Sequence, residues 1–250
     1  IPLDTEAIAG LRGSGLVISD PGAHAREHAI EIELPLLQRA LVPGWKLIPV
    51  LVGRLDGDDY AEAADLLRPL ADDGTLVVVS SDFTHFGPRF GYMPFPPDQE
   101  APEHIRALDD GAIERILARD GPGLLDYQEK TGITICGYRP LALLLHMLPA
   151  DAQVQRVAYA TSGELTGDWS SSVSYAALVV TGPSPLSAPP TPAEAEPGAG
   201  QAMDEADLRV LHRLAVLGVE EAVLGRSEER DAEIQTRLGG LPEHLRDPAG

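Results

Sequence analysis

The sequence contains a single cysteine, Cys136, among 250 residues. One cysteine cannot form a disulfide within the chain, so scaffolds built on disulfides are excluded and a reducing, cytoplasmic compartment is expected. The sequence also lacks any apolar run near the roughly 18 residues that a membrane-spanning helix needs. We therefore expect no membrane partner.

Positive charge is scarce as well, with 19 Lys and Arg residues against 39 Asp and Glu residues and a formal net charge of −20. A surface of this charge repels the phosphates of nucleic acids and the headgroups of anionic lipids. The charge balance therefore predicts no nucleic-acid partner. It leaves a well-solvated, acidic globular protein as the expected class.

Apolar, β-branched segments alternate with segments of helical periodicity along most of the chain. Segments 46–52 and 75–81 are almost continuously apolar, which is typical of strands buried on both faces in parallel or mixed sheets. The alternation predicts an α/β domain with a layered helix–sheet–helix architecture. The predicted strands are 16–19, 46–52, 75–81, 154–161 and 173–181, and the predicted helices are about 26–42, 58–72, 100–118, 122–131 and 138–148.

The composition changes sharply after this domain. Residues 183–200 read PSPLSAPPTPAEAEPGAG, and six prolines among small and polar residues cannot build a core. We therefore divide the chain into an α/β domain (1–182), a linker (183–203) and a tail (204–250). The tail opens on a predicted amphipathic helix that Asp204 can cap.

Polar side chains follow the predicted strand 75–81 in the stretch VVVSSDFTHFGP. In open α/β sheets, ligands bind beyond the carboxyl ends of strands, where Asp82 and His85 would emerge. A histidine exchanges protons near neutral pH and an aspartate can orient it, while Phe83 and Phe86 could wall the pocket. The alternative is that Asp82 caps a turn and His85 lies on the surface.

Cys136 precedes the predicted helix of ITICGYRPLALLLHML, with Gly137 providing a tight turn. The positive end of that helix, with Arg139 nearby, should favour the thiolate, which attacks electrophiles or binds metals. The alternative is a small buried apolar side chain, which is common for an isolated cysteine.

The stretch HAREH, His24 to His28, matches the H-x-x-E-H pattern of inverted zinc peptidases. On one helix the two imidazoles would share a face, with Glu27 as the base. Pro21 and Gly22 lie just upstream, however, so we expect His24 to precede the helix or to lie in its first turn. The peptidase interpretation is therefore the weaker one.

Four stretches in order resemble the Memo family, protein B of the AmmeMemoRadiSam set, over roughly residues 1–182. The family fold is similar to that of LigB-type class III extradiol dioxygenases, which use non-haem iron to open catechol rings. The stretches are REHAIEIELPLLQ, VVSSDFTHFGPRFGY, ITICGYRPLALLL and SGELTGDWSSSVSYAALVV.

The resemblance implies a set of site residues. Family members carry a metal site of two histidines and one cysteine, and Cys136 matches the cysteine. The histidine motifs come earlier in the family, so both further ligands are expected upstream of Ile1 and weak metal binding is expected for this chain. Asp82 and His85 match pocket residues, His85 with an implied acid/base role. His28 matches a family position without an assigned role.

Two functions follow from the resemblance. The first is a redox or dioxygenase-like protein that binds non-haem iron or copper and acts on an unknown substrate. The second is a non-catalytic module that binds a metal or a peptide in a modification pathway. Residues 204–250 are similar to the opening of an AMMECR-type domain, protein A of the same set, so this domain and a radical SAM protein are the implied partners.

Overall fold

The computed structural model of this protein describes residues 1–25 and 27–182. The predicted linker and the tail that was predicted to be of the AMMECR type therefore lie outside the described residues. Within the described ranges, none of the helices is long and apolar enough to cross a membrane.

Among the described residues there are eight α-helices, and an aspartate caps several of them. Asp4, Asp20 and Asp120 each accept a backbone N–H at the start of a helix, which satisfies a donor that has no partner within the helix. The helices are α1 (Thr5–Leu11), α2 (Pro21–His24), α3 (Ala29–Ala40), α4 (Asp59–Leu67), α5 (Ala101–Leu117), α6 (Gly121–Thr131), α7 (Tyr138–Met147) and α8 (Ser162–Thr166).

In the part of the chain that the structure describes, three strands form an antiparallel sheet in the order β1-β3-β2. They are β1 (His85–Phe86), β2 (Gln153–Thr161) and β3 (Ser172–Thr181). The register of β2 against β3 shifts between Arg156 and Ala158. β1 pairs with the start of β3, with His85 opposite Val173, so the sheet carries His85 directly.

The main core lies between the helices and the sheet. Helix α7 packs between α4 and α6, and α5 packs against α6 and β2. Phe83, Ile113 and Leu124 are almost completely buried in this core. A second, smaller cluster of buried side chains contains Phe86, Ala101 and Ile105. The loop that follows residues 75–81 therefore passes directly over packed side chains.

The predicted helices and the two carboxyl-terminal strands are present, but three predicted strands are not. Among the described residues, segments 16–19, 46–52 and 75–81 are assigned to no strand, apart from an isolated bridge between Leu3 and Leu47. Val77 and Val79 pack against the core, whereas Leu76 and Val78 are exposed. An apolar segment of this kind can be extended without being a strand. A strand also requires a neighbouring segment that pairs with it through backbone hydrogen bonds. The observed sheet is accordingly small and antiparallel, not parallel.

Candidate functional site

The loop that begins at Ser80 lies against the segment that leads into α7. The Asp82 backbone N–H donates to Cys136 Sγ at 3.1 Å, and the Cys136 N–H donates to the Asp82 carbonyl at 3.3 Å. These two residues are 54 positions apart in the sequence. The paired contacts therefore bring the exposed thiol to the start of the Asp82–His85 loop.

Gly137 makes this close approach possible. Its N–H donates to Ser81 Oγ at 2.9 Å. A Cβ at this position would lie 2.5 Å from Ser81 Cβ and 2.9 Å from the Ser80 carbonyl oxygen. Any larger residue would therefore push the two segments apart, together with Cys136 and Asp82.

Thr134 holds His85 in one orientation. The His85 backbone N–H donates to Thr134 Oγ1 at 2.8 Å, and Thr134 Oγ1 donates to the His85 carbonyl at 3.0 Å. The ring Nδ1 lies 2.9 Å from the Thr134 carbonyl oxygen, which can only accept, so Nδ1 carries the proton. The Nε2 atom is therefore the one available to exchange a proton with a ligand.

Asp82 connects His85 to Cys136. Its Oδ2 lies 3.5 Å from His85 Nε2, and its side chain is 44% exposed while that of His85 is 20% exposed. Hydrogen bonding to the Asp82 carboxylate raises the pKa of His85, burial opposes this shift, and the Thr134 carbonyl adds to it. The structure thus brings the cysteine, the aspartate and the histidine named from the sequence into one site.

Three further residues reach the same site and were not identified from the sequence. Burial raises the pKa of Glu33 on α3, the Ser80 hydroxyl opposes this shift, and the charge of Asp82 adds to it. Burial likewise raises the pKa of Tyr175 on β3, Asp82 adds to the rise and Arg89 opposes it. Phe90 meets the His85 ring edge-on at 5.1 Å between centroids.

The sequence only partly indicates that Glu33 and Tyr175 belong to the site. The REHAIEIELP stretch indicated an acidic helix, but periodicity alone does not show which carboxylate faces the loop. Tyr175 lies in the stretch SGELTGDWSSSVSYAALVV, but its apolar-strand context does not show that its ring faces the loop. These assignments therefore required the packing of α3 and β3 around the loop.

Phe83 and Phe86 are 1% and 0% exposed. Both lie in the core beneath the loop, so they support it from below and present no surface to a ligand. His28 is at the N-cap of α3, and its side chain is 80% exposed and pairs with Glu27 at 3.6 Å. Within the described residues, His28 is not among the hydrogen-bond or ion-pair partners of Asp82, His85 or Cys136.

The helical geometry required for a zinc peptidase is absent from residues 21–25 and 27–40. Helix α2 ends at His24 and α3 begins at Ala29, so the two histidines of HAREH do not share one helix face. The Glu27 carboxylate instead accepts the backbone N–H groups of His28 and Ala29, at 2.8 and 2.9 Å. Glu27 thus serves as a cap for α3.

Comparison with known proteins identifies the family. The sequence matches the model of the Memo-like protein family over residues 1–179. A MEMO1 family protein of Methanosarcina acetivorans is 33% identical over 185 residues, which cover 72% of this chain and 64% of that protein. A MEMO1 family protein of Methanopyrus kandleri is 31% identical over 185 residues, which cover 72% of this chain and 61% of that protein. The chain spans less than two thirds of the length of these relatives, and it belongs to the Memo-like protein family.

Proposed function

We propose that Cys136, Asp82 and His85 form the thiolate- and proton-handling side of a metal-dependent redox or dioxygenase-like site. Two contacts of Asp82, one with Cys136 and one with His85, support this proposal. Its N–H donates to Cys136 Sγ at 3.1 Å, and its carboxylate lies 3.5 Å from His85 Nε2. One residue thereby couples a potential metal ligand to a potential acid/base group.

His85 is suited to deliver a proton to a ligand bound at this loop. Its Nδ1–H is held by the Thr134 carbonyl, so protonation and deprotonation occur at Nε2. The adjacent Asp82 carboxylate stabilises the imidazolium and raises the pKa of His85, which enlarges the protonated fraction near neutral pH. His85 would act as the general acid, and Asp82 would orient it.

Cys136 fits the role of one ligand to iron or copper. Its sulfur is exposed, and thiolate is a ligand that both metals accept. Over the part of the chain that the structure describes, no three His, Cys, Asp or Glu side chains are grouped to hold a metal ion. The other ligands would therefore come from elsewhere, and we propose two histidines of a segment upstream of Ile1, as the resemblance to the family implies. Bound iron or copper would supply electron transfer or oxygen activation.

The wider setting of the site is also a proposal. The resemblance to LigB-type dioxygenases motivates the oxygenase-like chemistry. The resemblance of residues 204–250 to an AMMECR-type domain motivates a shared pathway with that domain and with a radical SAM protein.

The ligand role of Cys136 is tested by anaerobic titration with Co²⁺, which reports bound thiolate through a sulfur-to-metal charge-transfer band in the near ultraviolet. We expect the band to appear with weak affinity in the wild-type chain and to be lost in Cys136→Ser, because serine offers no thiolate. His24→Ala is the matched control, since His24 lines a separate groove with Glu27 and Leu34 and should leave the band intact. An equally strong band in Cys136→Ser would contradict the assignment.

Turnover separates an enzyme from a binding module, and it is measured on the chain extended to include the proposed upstream histidines. Loaded with Fe²⁺ and supplied with oxygen and a catechol, an enzyme consumes oxygen in a manner that depends on His85. A module that only binds metal retains iron without consuming oxygen.

A further inference from the structure

A completely buried carboxylate lies directly beneath the loop. Asp109 on α5 is 0% exposed, and three hydrogen bonds converge on it. Its Oδ1 accepts the Thr84 backbone N–H at 3.1 Å and the Thr84 hydroxyl at 2.6 Å. Its Oδ2 accepts the Tyr159 hydroxyl at 2.7 Å. The proton chemistry assigned above to Asp82 and His85 makes no use of this group.

Thr84 is the residue through which Asp109 acts on the site. It lies between Asp82 and His85, and its carbonyl accepts the Ser174 N–H at 2.9 Å. The preceding Phe83 N–H donates to the Ser174 carbonyl at 2.8 Å. The backbone at 83–84 is thus fixed by β3 on one side and by the Asp109 carboxylate on the other.

We propose that Asp109 is a positioning residue that fixes the loop of residues 82–85. It thereby keeps the Asp82 carboxylate beside His85 Nε2 and the Asp82 N–H hydrogen-bonded to Cys136 Sγ. The inference rests on the proposed function only in treating these three residues as one working site. Asp109 itself touches neither the thiol nor the imidazole in this structure; it holds the segment that carries Asp82 and His85.

The three donors require an acceptor at this position. Alanine would leave the Thr84 N–H, the Thr84 hydroxyl and the Tyr159 hydroxyl buried without their partner, and buried donors are rarely left that way. Asparagine would keep an oxygen for both Thr84 donors. Its NH₂ group would donate to Tyr159 Oη, whose hydroxyl hydrogen can turn to Ser174 Oγ at 3.4 Å. Asp109→Asn therefore removes the charge but keeps the position.

The experiment is an NMR pH titration of the His85 ring in the metal-free chain, with the signal assigned by its loss in His85→Gln. The Asp82 carboxylate raises the pKa of His85, so a displacement that separates this carboxylate from His85 Nε2 lowers that pKa. We expect Asp109→Ala to move the His85 titration towards that of an ordinary histidine and Asp109→Asn to leave it near wild type. Ile113→Ala, four residues along the same helix and 1% exposed, is the control for general destabilisation. It should lower the melting temperature without moving the titration.

Three results would overturn the inference. The first is an unchanged His85 titration in folded Asp109→Ala. The second is a shift in Asp109→Asn as large as that in Asp109→Ala, which would indicate a charge effect. The third is a shift of that size in Ile113→Ala. If Asp109→Ala does not fold, Thr84→Val removes only the 2.6 Å bond and keeps the backbone donor. It should give a smaller shift in the same direction, and no shift would also count against the inference.

This readout is independent of metal. An equally strong cobalt band in Cys136→Ser would refute the ligand role of Cys136 and leave the Asp109 result standing. An unchanged His85 titration in the Asp109 and Thr84 variants would refute the positioning role and leave the ligand role standing.

Discussion

At the scale of single residues, the site raises the pKa of two groups for different reasons. His85 has a raised pKa because the Asp82 carboxylate stabilises its charged form, with burial acting against it. Glu33 has a raised pKa because burial disfavours its charged form, and the negative charge of Asp82 adds to this. Asp82 thus favours protonation of both neighbours, which is the arrangement expected of a site that transfers protons.

Replacing Glu33 by Gln should make the chain more stable at pH 7. The folded-state pKa of Glu33 lies above its ordinary value of 4.5, so stability is lost as the pH rises from the ordinary value through the folded-state value, and the loss is complete above it. Glutamine removes that cost, and we expect a gain of up to about 1 kcal/mol because the side chain is only half-buried. The gain should vanish as the pH falls below the ordinary value, where the carboxyl is protonated in both states. Urea unfolding at several pH values measures it.

Glu31→Gln is the matched control for this prediction. Glu31 lies on the same helix and is exposed, so its replacement should change the free energy of unfolding little at any pH. A destabilised Glu33→Gln protein at pH 7, or equal effects of the two substitutions, would contradict the environment assigned to Glu33.

At the scale of elements, helices were easier to predict than strands. The pattern before α7 predicted a helix over 138–148, and the helix spans Tyr138–Met147, because capping and periodicity are local. Segment 75–81 is as apolar as α7 but forms no strand in the described structure. A strand forms only by pairing with another strand, which can be distant in sequence.

The same distinction applies to the candidate site. Cys136, Asp82 and His85 were identified because each belongs to a motif next to a predicted element. Glu33 was missed because its role depends on how α3 docks against the loop. Phe83 and Phe86 were expected to line a pocket. Both rings are instead buried in the core, and the pattern of apolar and polar residues around them does not show this.

Replacing Gly137 by Ala tests the contact between the loop and the start of α7. The added Cβ would lie 2.5 Å from Ser81 Cβ, so we expect a loss of about 1–3 kcal/mol in the free energy of unfolding. Gly10→Ala in α1 is the control, because a Cβ there meets no atom within 4 Å and alanine favours the helix by up to about 1 kcal/mol. Denaturant unfolding of both variants measures the difference. Equal stability of Gly137→Ala and the wild-type chain would show that the two segments are not in close contact.

At the scale of the whole molecule, the site is assembled from parts that are far apart in the sequence. Helix α3, the 80–85 loop, the start of α7 and strand β3 each contribute a side chain, and the buried Asp109 on α5 supports the loop. The matched part of the chain covers 64% of the Methanosarcina acetivorans relative. We therefore propose that this chain supplies one side of a site whose remaining ligands would come from elsewhere.

The most direct test of this account uses the single cysteine. Cys136 is alkylated with either a carboxymethyl group or a carbamidomethyl group, which are similar in size and differ by one negative charge, and His85 is titrated by NMR in each product. Because a nearby negative charge favours the imidazolium, the account predicts a higher pKa for His85 in the carboxymethylated protein. Identical His85 titrations in the two products would contradict it, since the sulfur and the imidazole would then not share a site.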